Sequence, residues 1–161
     1  MSNKSASLEN LQTALSMELS AATQYLLHAH VLDDWGLDKL AAKMREEMQE
    51  ELGHAGRFVD RILFLGGDPV MEPEKTPVRA KSLKDMFETD KTDEKDAIEF
   101  YTRAARAAFD SDDIGTRALF EEIVLDEEGH WGWLDLQLDL LERMGEPAFT
   151  SKYMSIDAGE A

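Results

Sequence analysis

Glu51-Leu52-Gly53-His54 and Glu127-Glu128-Gly129-His130 spell one pattern, Glu-x-x-His, twice in the chain and 76 residues apart. The same offset relates Glu18 to Glu94, so each half carries a Glu and, 33 residues later, a Glu-x-x-His. Residues three apart on a helix project from adjacent turns of one face, so each Glu/His pair can converge on a single ion. Four carboxylates and two imidazoles suit a pair of metal ions in the core of a helix bundle. Each imidazole can give one nitrogen to one ion, Glu18 and Glu94 can each serve one, and Glu51 and Glu127 can bridge both. Oxygen-rich, nitrogen-poor donation favours iron or manganese over copper.

The surrounding residues place all six on helices, facing inward. Four stripes step by three and four. They are Leu8, Leu11, Leu15, Glu18, Ala22, Tyr25 and Ala29; Leu40, Met44, Met48, Glu51, Ala55, Phe58, Ile62 and Leu65; Leu83, Phe87, Asp90, Glu94, Ala97, Tyr101, Ala104 and Ala108; and Leu119, Ile123, Glu127, His130, Leu134, Leu138 and Leu141. In each stripe a Glu stands where a core helix requires an apolar residue. An ionised carboxylate there is strongly unfavourable without a compensating cation, and no Lys or Arg occupies a stripe position. One such Glu is usually a salt-bridged boundary residue, and one Glu-x-x-His in an acidic helical chain means little. Six residues in matching register on four buried stripes point to metal.

Turn and cap residues divide the chain into an all-α, four-helix bundle contained in a single domain, residues 1–161. Helices are expected over 5–35, 38–66, 82–110 and 113–144, with a short tail helix near 147–155. Ser5 or Ser7 can cap the first, Gly66-Gly67 stops the second, Ser82 with Asp85 forms a capping box for the third, and Asp112 or Asp113 caps the fourth. Short links near Gly36 and Ser111 make two antiparallel hairpins. The segment between them holds Pro69, Pro73 and Pro77, which forbid helix, and is long enough to run the length of the bundle as a crossover. The Ser155–Ala161 end is expected to fray.

Composition narrows the partners. The chain of 161 residues has 34 acidic and 17 basic residues, a net charge of −17, which repels nucleic acid and anionic membranes and draws cations inward. With no cysteine, thiolate–zinc sites, iron–sulfur clusters and thiol nucleophiles are excluded. The N-terminal Met1-Ser2-Asn3-Lys4-Ser5 lacks a signal-peptide run, and Ile62-Leu63-Phe64-Leu65 is too short to span a bilayer. A cytoplasmic, soluble protein is expected.

The chain resembles the bacterioferritins over nearly its whole length. The resemblance rests on Gln24-Tyr25-Leu26-Leu27-His28-Ala29, Asp34-Trp35-Gly36-Leu37, Arg61-Ile62-Leu63-Phe64-Leu65, and Asp126-Glu127-Glu128-Gly129-His130 with Trp133. It implies a ferritin-like fold and places the six ferroxidase ligands on Glu18, Glu51, His54, Glu94, Glu127 and His130. It further implies an iron-storing, iron-homeostatic homo-oligomer, a hollow shell of 24 subunits built from dimers. Such a shell oxidises Fe(II) to Fe(III) with O2 or H2O2, with two Fe per subunit, and holds the mineral inside. On that reading Tyr25, two turns beyond Glu18, either donates an electron or a hydrogen bond to the site or is a half-buried aromatic of the bundle. Trp133 is read as packing. Glu46, Glu47 and Glu50 either line an inner wall or form a solvated face.

The sequence departs from the family at one position. Bacterioferritins bind haem b between paired subunits through a Met immediately after the first Glu-x-x-His glutamate, and here that residue is Leu52. Met48 stands one turn back, displaced by ~5.4 Å, and is a weak substitute. The expectation is a shell without axially ligated haem, or a subunit that works beside a Met-bearing partner. The alternatives to a storage ferroxidase are a rubrerythrin-like peroxidase or manganese catalase, which use the same ligand type, and a non-catalytic shell subunit.

Overall fold

The computed structural model describes residues 4–155. It contains α1 (Lys4–Asp34), α2 (Asp38–Phe64), α3 (Leu83–Asp110), α4 (Ile114–Met144) and α5 (Glu146–Ser151), with no strand among the described residues. The pairs α1/α2 and α3/α4 are the two antiparallel hairpins, and α1 packs on α3 to join them. This is a ferritin-like four-helix bundle with a long crossover and a short C-terminal helix.

Local chemistry sets most of the boundaries. Ser82 accepts from the amide of Asp85 while the Asp85 carboxylate accepts from the amide of Lys81, closing the start of α3. Asp113 caps α4 by accepting from the amide of Thr116. Gly36, Gly66 and Gly145 carry the positive φ at the ends of α1, α2 and α4, where a Cβ is penalised. Two expectations need correction. α1 is already helical at Lys4, the first described residue, so Ser5 and Ser7 lie inside the helix rather than capping it; Ser5 bonds Glu9 and Ser7 is buried. α5 ends at Ser151 rather than at 155, because the amides of Lys152 and Tyr153 turn back to Phe149 and Thr150 three residues earlier and tighten the last turn. Of the tail expected to fray, only Ser155 lies within the described residues, where its amide bonds Asp38.

The crossover lies along α1, fixed by three polar side chains of that helix. Gln12 both donates to and accepts from the backbone of Val70 at 2.8 Å. Ser20 Oγ accepts from the amides of Glu74 and Lys75 at 2.7 and 2.9 Å. Gln24 pairs both ways with Val78 at 2.9 Å. Gln12 to Gln24 covers ~18 Å of helix. These bonds satisfy backbone groups that the prolines and extended path leave without helical partners.

Side-chain burial divides the interior into two apolar clusters with a polar layer between them. One, around Leu32, Leu40, Met44, Phe87 and Leu134, is closed by Phe149 of α5, whose ring meets Phe87 at 6.0 Å. The other, around Leu15, Phe58, Tyr101, Phe120 and Ile123, centres on three rings with centroids 5.3–5.7 Å apart. Phe58 is fully buried at the middle of that group. Phe58→Ala is expected to cost about 3–5 kcal/mol, measured by denaturant unfolding; a loss below about 1 kcal/mol contradicts this account of the core.

Candidate metal centre

The polar layer contains all six residues of the repeated pattern. Glu18 comes from α1, Glu51 and His54 from α2, Glu94 from α3, and Glu127 and His130 from α4. The four carboxylates are 1–4% exposed and the two imidazoles 6% and 8%. They form two groups, Glu18/Glu51/His54/Glu127 and Glu51/Glu94/Glu127/His130, and in each the candidate donor atoms lie within 4.8 Å of one another. Glu51 and Glu127 belong to both. His54 Nδ1 lies 2.9 Å from Glu127 and 3.6 Å from Glu18; His130 Nδ1 lies 3.0 Å from Glu51 and 3.6 Å from Glu94. The two rings are stacked, their centroids 6.3 Å apart.

Five donor atoms of this set, Glu18 Oε2, Glu51 Oε1, His54 Nδ1, Glu127 Oε1 and His130 Nδ1, are buried without an aligned hydrogen-bond partner among the described residues. Orphaned lone pairs of this kind are costly in a low-dielectric interior, and a divalent cation removes the cost. The donors suit two oxygen-preferring divalent ions, one in each group.

A further set of contacts surrounds the six. Tyr25 donates to Glu94 at 2.6 Å, and Tyr101 donates to Glu18 at 2.5 Å. Both tyrosines are fully enclosed, so Tyr25 is not the half-buried aromatic that was one of its two readings. The outer nitrogen of His54 bonds Asp126 at 3.1 Å, and that of His130 bonds Glu50 at 2.6 Å and faces Glu47 at 2.9 Å. Such partners fix ring orientation and raise ligand basicity. Sequence reasoning did not assign Tyr101, Asp126 or Glu50 to the site. The signal was present, since Tyr25/Tyr101 and Glu50/Asp126 keep the 76-residue offset. Glu46 and Glu50 are exposed, whereas Glu47 is buried, because the inward turn of α2 that presents Glu51 carries it along the same face. Trp133 packs edge-on to Phe87 beneath Lys43.

Burial and crowding control the charges. Burial first, then the neighbouring carboxylates, holds the Glu18 carboxyl well above its usual range. Glu94 is raised likewise, by burial and by the neighbouring Glu127 carboxylate. Burial pushes Glu127 up too, but the Glu94 carboxyl and the two imidazoles close beside it outweigh burial and bring it below its usual range. For His54 and His130 burial acts downward, yet the surrounding carboxylates prevail and raise both. Tyr25 and Tyr101 are raised by burial and adjacent carboxylates, so each remains an O–H donor.

A cavity of about 280 Å³ leads to the layer from beneath the crossover, between α1 and α3, lined by Glu18, Glu94, Glu127, Asp93 and Lys75 among others. Lys75 bonds Asp93 across its mouth at 3.2 Å.

Comparison with known proteins places the fold in a family. A ferritin-like domain family model matches residues 8–144. A Rhodobacter capsulatus bacterioferritin is 39% identical over 143 residues, 88% of each chain. The chain belongs to the bacterioferritin family. A bacterial ferritin of Synechocystis is 35% identical over 157 residues, covering 96% of this chain and all of that one. Among solved structures, a Rhodobacter capsulatus bacterioferritin, described with a metal-free dinuclear site and a haem iron in a crystallographic special position, superposes with a TM-score of 0.93 at 36% identity, over 99% of this chain and 100% of that one. The bacterioferritin BfrA of Mycobacterium tuberculosis gives 0.92 at 33% identity, over 96% and 98%. No helix among the described residues is long and apolar enough to cross a membrane.

The charge pattern has a consequence for stability. Because His54 and His130 titrate higher in the fold than in the unfolded chain, their stabilisation is complete below about pH 6.5 and declines as pH rises toward their folded values. The metal-free protein is therefore expected to melt at a lower temperature at pH 8.5 than at pH 6.5. A melting temperature that rises over this interval contradicts the assignment.

Proposed function

We propose that this chain stores iron, oxidising Fe(II) at a two-metal centre formed by Glu18, Glu51, His54, Glu94, Glu127 and His130 and retaining the ferric product inside a homo-oligomeric shell. One observation carries the reading. The unpartnered buried donors of four helices converge into two groups that share Glu51 and Glu127. That the relatives are bacterioferritins and bacterial ferritins supports storage over a rubrerythrin-like peroxidase. A shell of 24 subunits follows from the family resemblance, as does the choice of O2 or H2O2 as oxidant.

Ferrous ions are the substrate. The oxidant takes one electron from each of two; O2 gains two electrons and two protons to become H2O2, and H2O2 gains the same to become two waters. The chain's residues make that transfer favourable. Glu51 and Glu127 hold both ions against a shared pair of carboxylates, and Glu18 and Glu94 add one more negative donor to each. This concentration of anionic oxygen favours the more highly charged product. Tyr25 and Tyr101 hold Glu94 and Glu18 in place through their O–H groups, while Asp126 and Glu50 fix the imidazoles. Glu51→Ala and Glu127→Ala are each expected to reduce rapid Fe(II) oxidation, followed by oxygen uptake, to the uncatalysed background. Wild-type rates in either variant would falsify the site.

Haem does not fit the donors this chain offers at the family position. Leu52 has no lone pair, and its side chain lies 44% exposed on the outer face of α2. Met48 is partly buried against the apolar cluster around Met44, one turn from the family position. We read the homomeric protein as lacking axially ligated haem, with a Met-bearing partner subunit as the route by which a mixed shell acquires it. The purified protein is expected to lack a Soret band. A sharp band with bis-methionine ligation contradicts this reading.

A further inference from the structure

The 76-residue relation extends outward from the six donors and then fails at four positions close to the site, all in one sense. Tyr101 serves Glu18 as Tyr25 serves Glu94, and Asp126 serves His54 as Glu50 serves His130. Beyond these, Lys43, Glu47 and His28 correspond to Leu119, Ile123 and Ala104, and Asp90 corresponds to Ala14. Glu47, 3% exposed, faces His130 Nε2 with one oxygen at 2.9 Å and meets Lys43 with the other. Asp90, also 3% exposed, bonds His28 at 2.8 Å, and its second oxygen has no hydrogen-bond partner among the described residues. Ile123, Ala104 and Ala14 belong to the apolar cluster around Phe58, and Leu119 packs against it. The Glu94/His130 group is thus bordered by buried charged and polar side chains, and the Glu18/His54 group by hydrocarbon.

We infer that the two metal positions are unequal: the Glu94/His130 position takes the first divalent cation, and Glu47 is the positioning residue that gives it precedence. This rests on the two-metal reading of the site. A carboxylate on the far nitrogen of a ligating imidazole orients the ring and strengthens its donation. His54 has one such partner, Asp126, which is 48% exposed. His130 bonds the exposed Glu50 and has, in addition, the buried Glu47 beside the same nitrogen. That Glu47 oxygen makes no aligned hydrogen bond, but the carboxylate's negative end is held toward the ring because Lys43 occupies the other oxygen. A cation is also better solvated beside buried carboxylates than beside Ile123 and Ala14. Ring orientation and local polarity favour the same position.

Zinc, which has no redox chemistry, is a suitable probe. Crystals of the metal-free shell given one zinc per subunit are expected to show anomalous density several-fold stronger at Glu94/His130 than at Glu18/His54. Equal filling or the reverse order overturns this inference alone, whereas zinc at neither position overturns it together with the two-metal reading. In Glu47→Gln the first zinc is expected to bind about 10- to 100-fold more weakly by calorimetry, with the two occupancies converging and Glu47→Asp restoring the order. A merely structural role for Glu47 lowers the melting temperature but leaves the occupancy ratio unchanged, and an unchanged ratio in Glu47→Gln overturns its assigned role. The wild-type occupancies decide the inequality even where the variant fails to fold.

Discussion

Four carboxylates held side by side in a bundle interior impose the constraint to which the rest of the structure answers. Glu18, Glu51, Glu94 and Glu127 are almost wholly removed from water, and like charges this close raise one another's cost. In the absence of metal, the neighbouring carboxylates outweigh burial and push the two imidazoles toward their protonated forms, and burial and crowding push the Glu18 and Glu94 carboxyls the same way. On the two-metal reading proposed above, cations would meet the constraint better, because each donor would then face a positive charge instead of a rival carboxylate. The site is thereby prepared for cations by the arrangement of its anions, and the long helices around it supply the rigidity that keeps those anions together.

The position of the layer follows from the packing on either side. Each hairpin contributes one Glu and one Glu-x-x-His, so the site forms only where the two hairpins meet. The apolar clusters around Phe58 and around Phe87 hold that meeting place from opposite ends. The clusters also supply the stability that the polar layer does not, since orphaned polar atoms in a core are a net cost. Their different borders with the site follow from the imperfect repeat: the two halves share the donors but not the neighbours.

Much of this was legible in the residues themselves. The stripes located the helices because a single face must remain apolar over eight turns, and a Glu on such a face is conspicuous. The prolines and glycines located the crossover for similarly local reasons. What could not be read was which side chain reaches which across the bundle. Tyr25 lies on the same helix as Glu18, yet it serves Glu94, and Tyr101 makes the reciprocal contact. Glu47 was indistinguishable from its acidic neighbours in sequence, because its burial depends on how α2 is rotated against α4. Ser5 and Ser7 illustrate the opposite limit: both are competent caps, but the helix simply extends past them.

The attachment of the crossover has an evolutionary implication. Gln12, Ser20 and Gln24 grip its main chain, not its side chains, so α1 dictates the route whatever residues travel it. Glu74, Lys75 and Val78 can consequently be exchanged with little penalty to folding. Those same residues roof the passage toward the carboxylates. Ser20 and Gln24 line that passage as well as holding its roof, so selection can rewrite the crossover's side chains there more freely than those of α1.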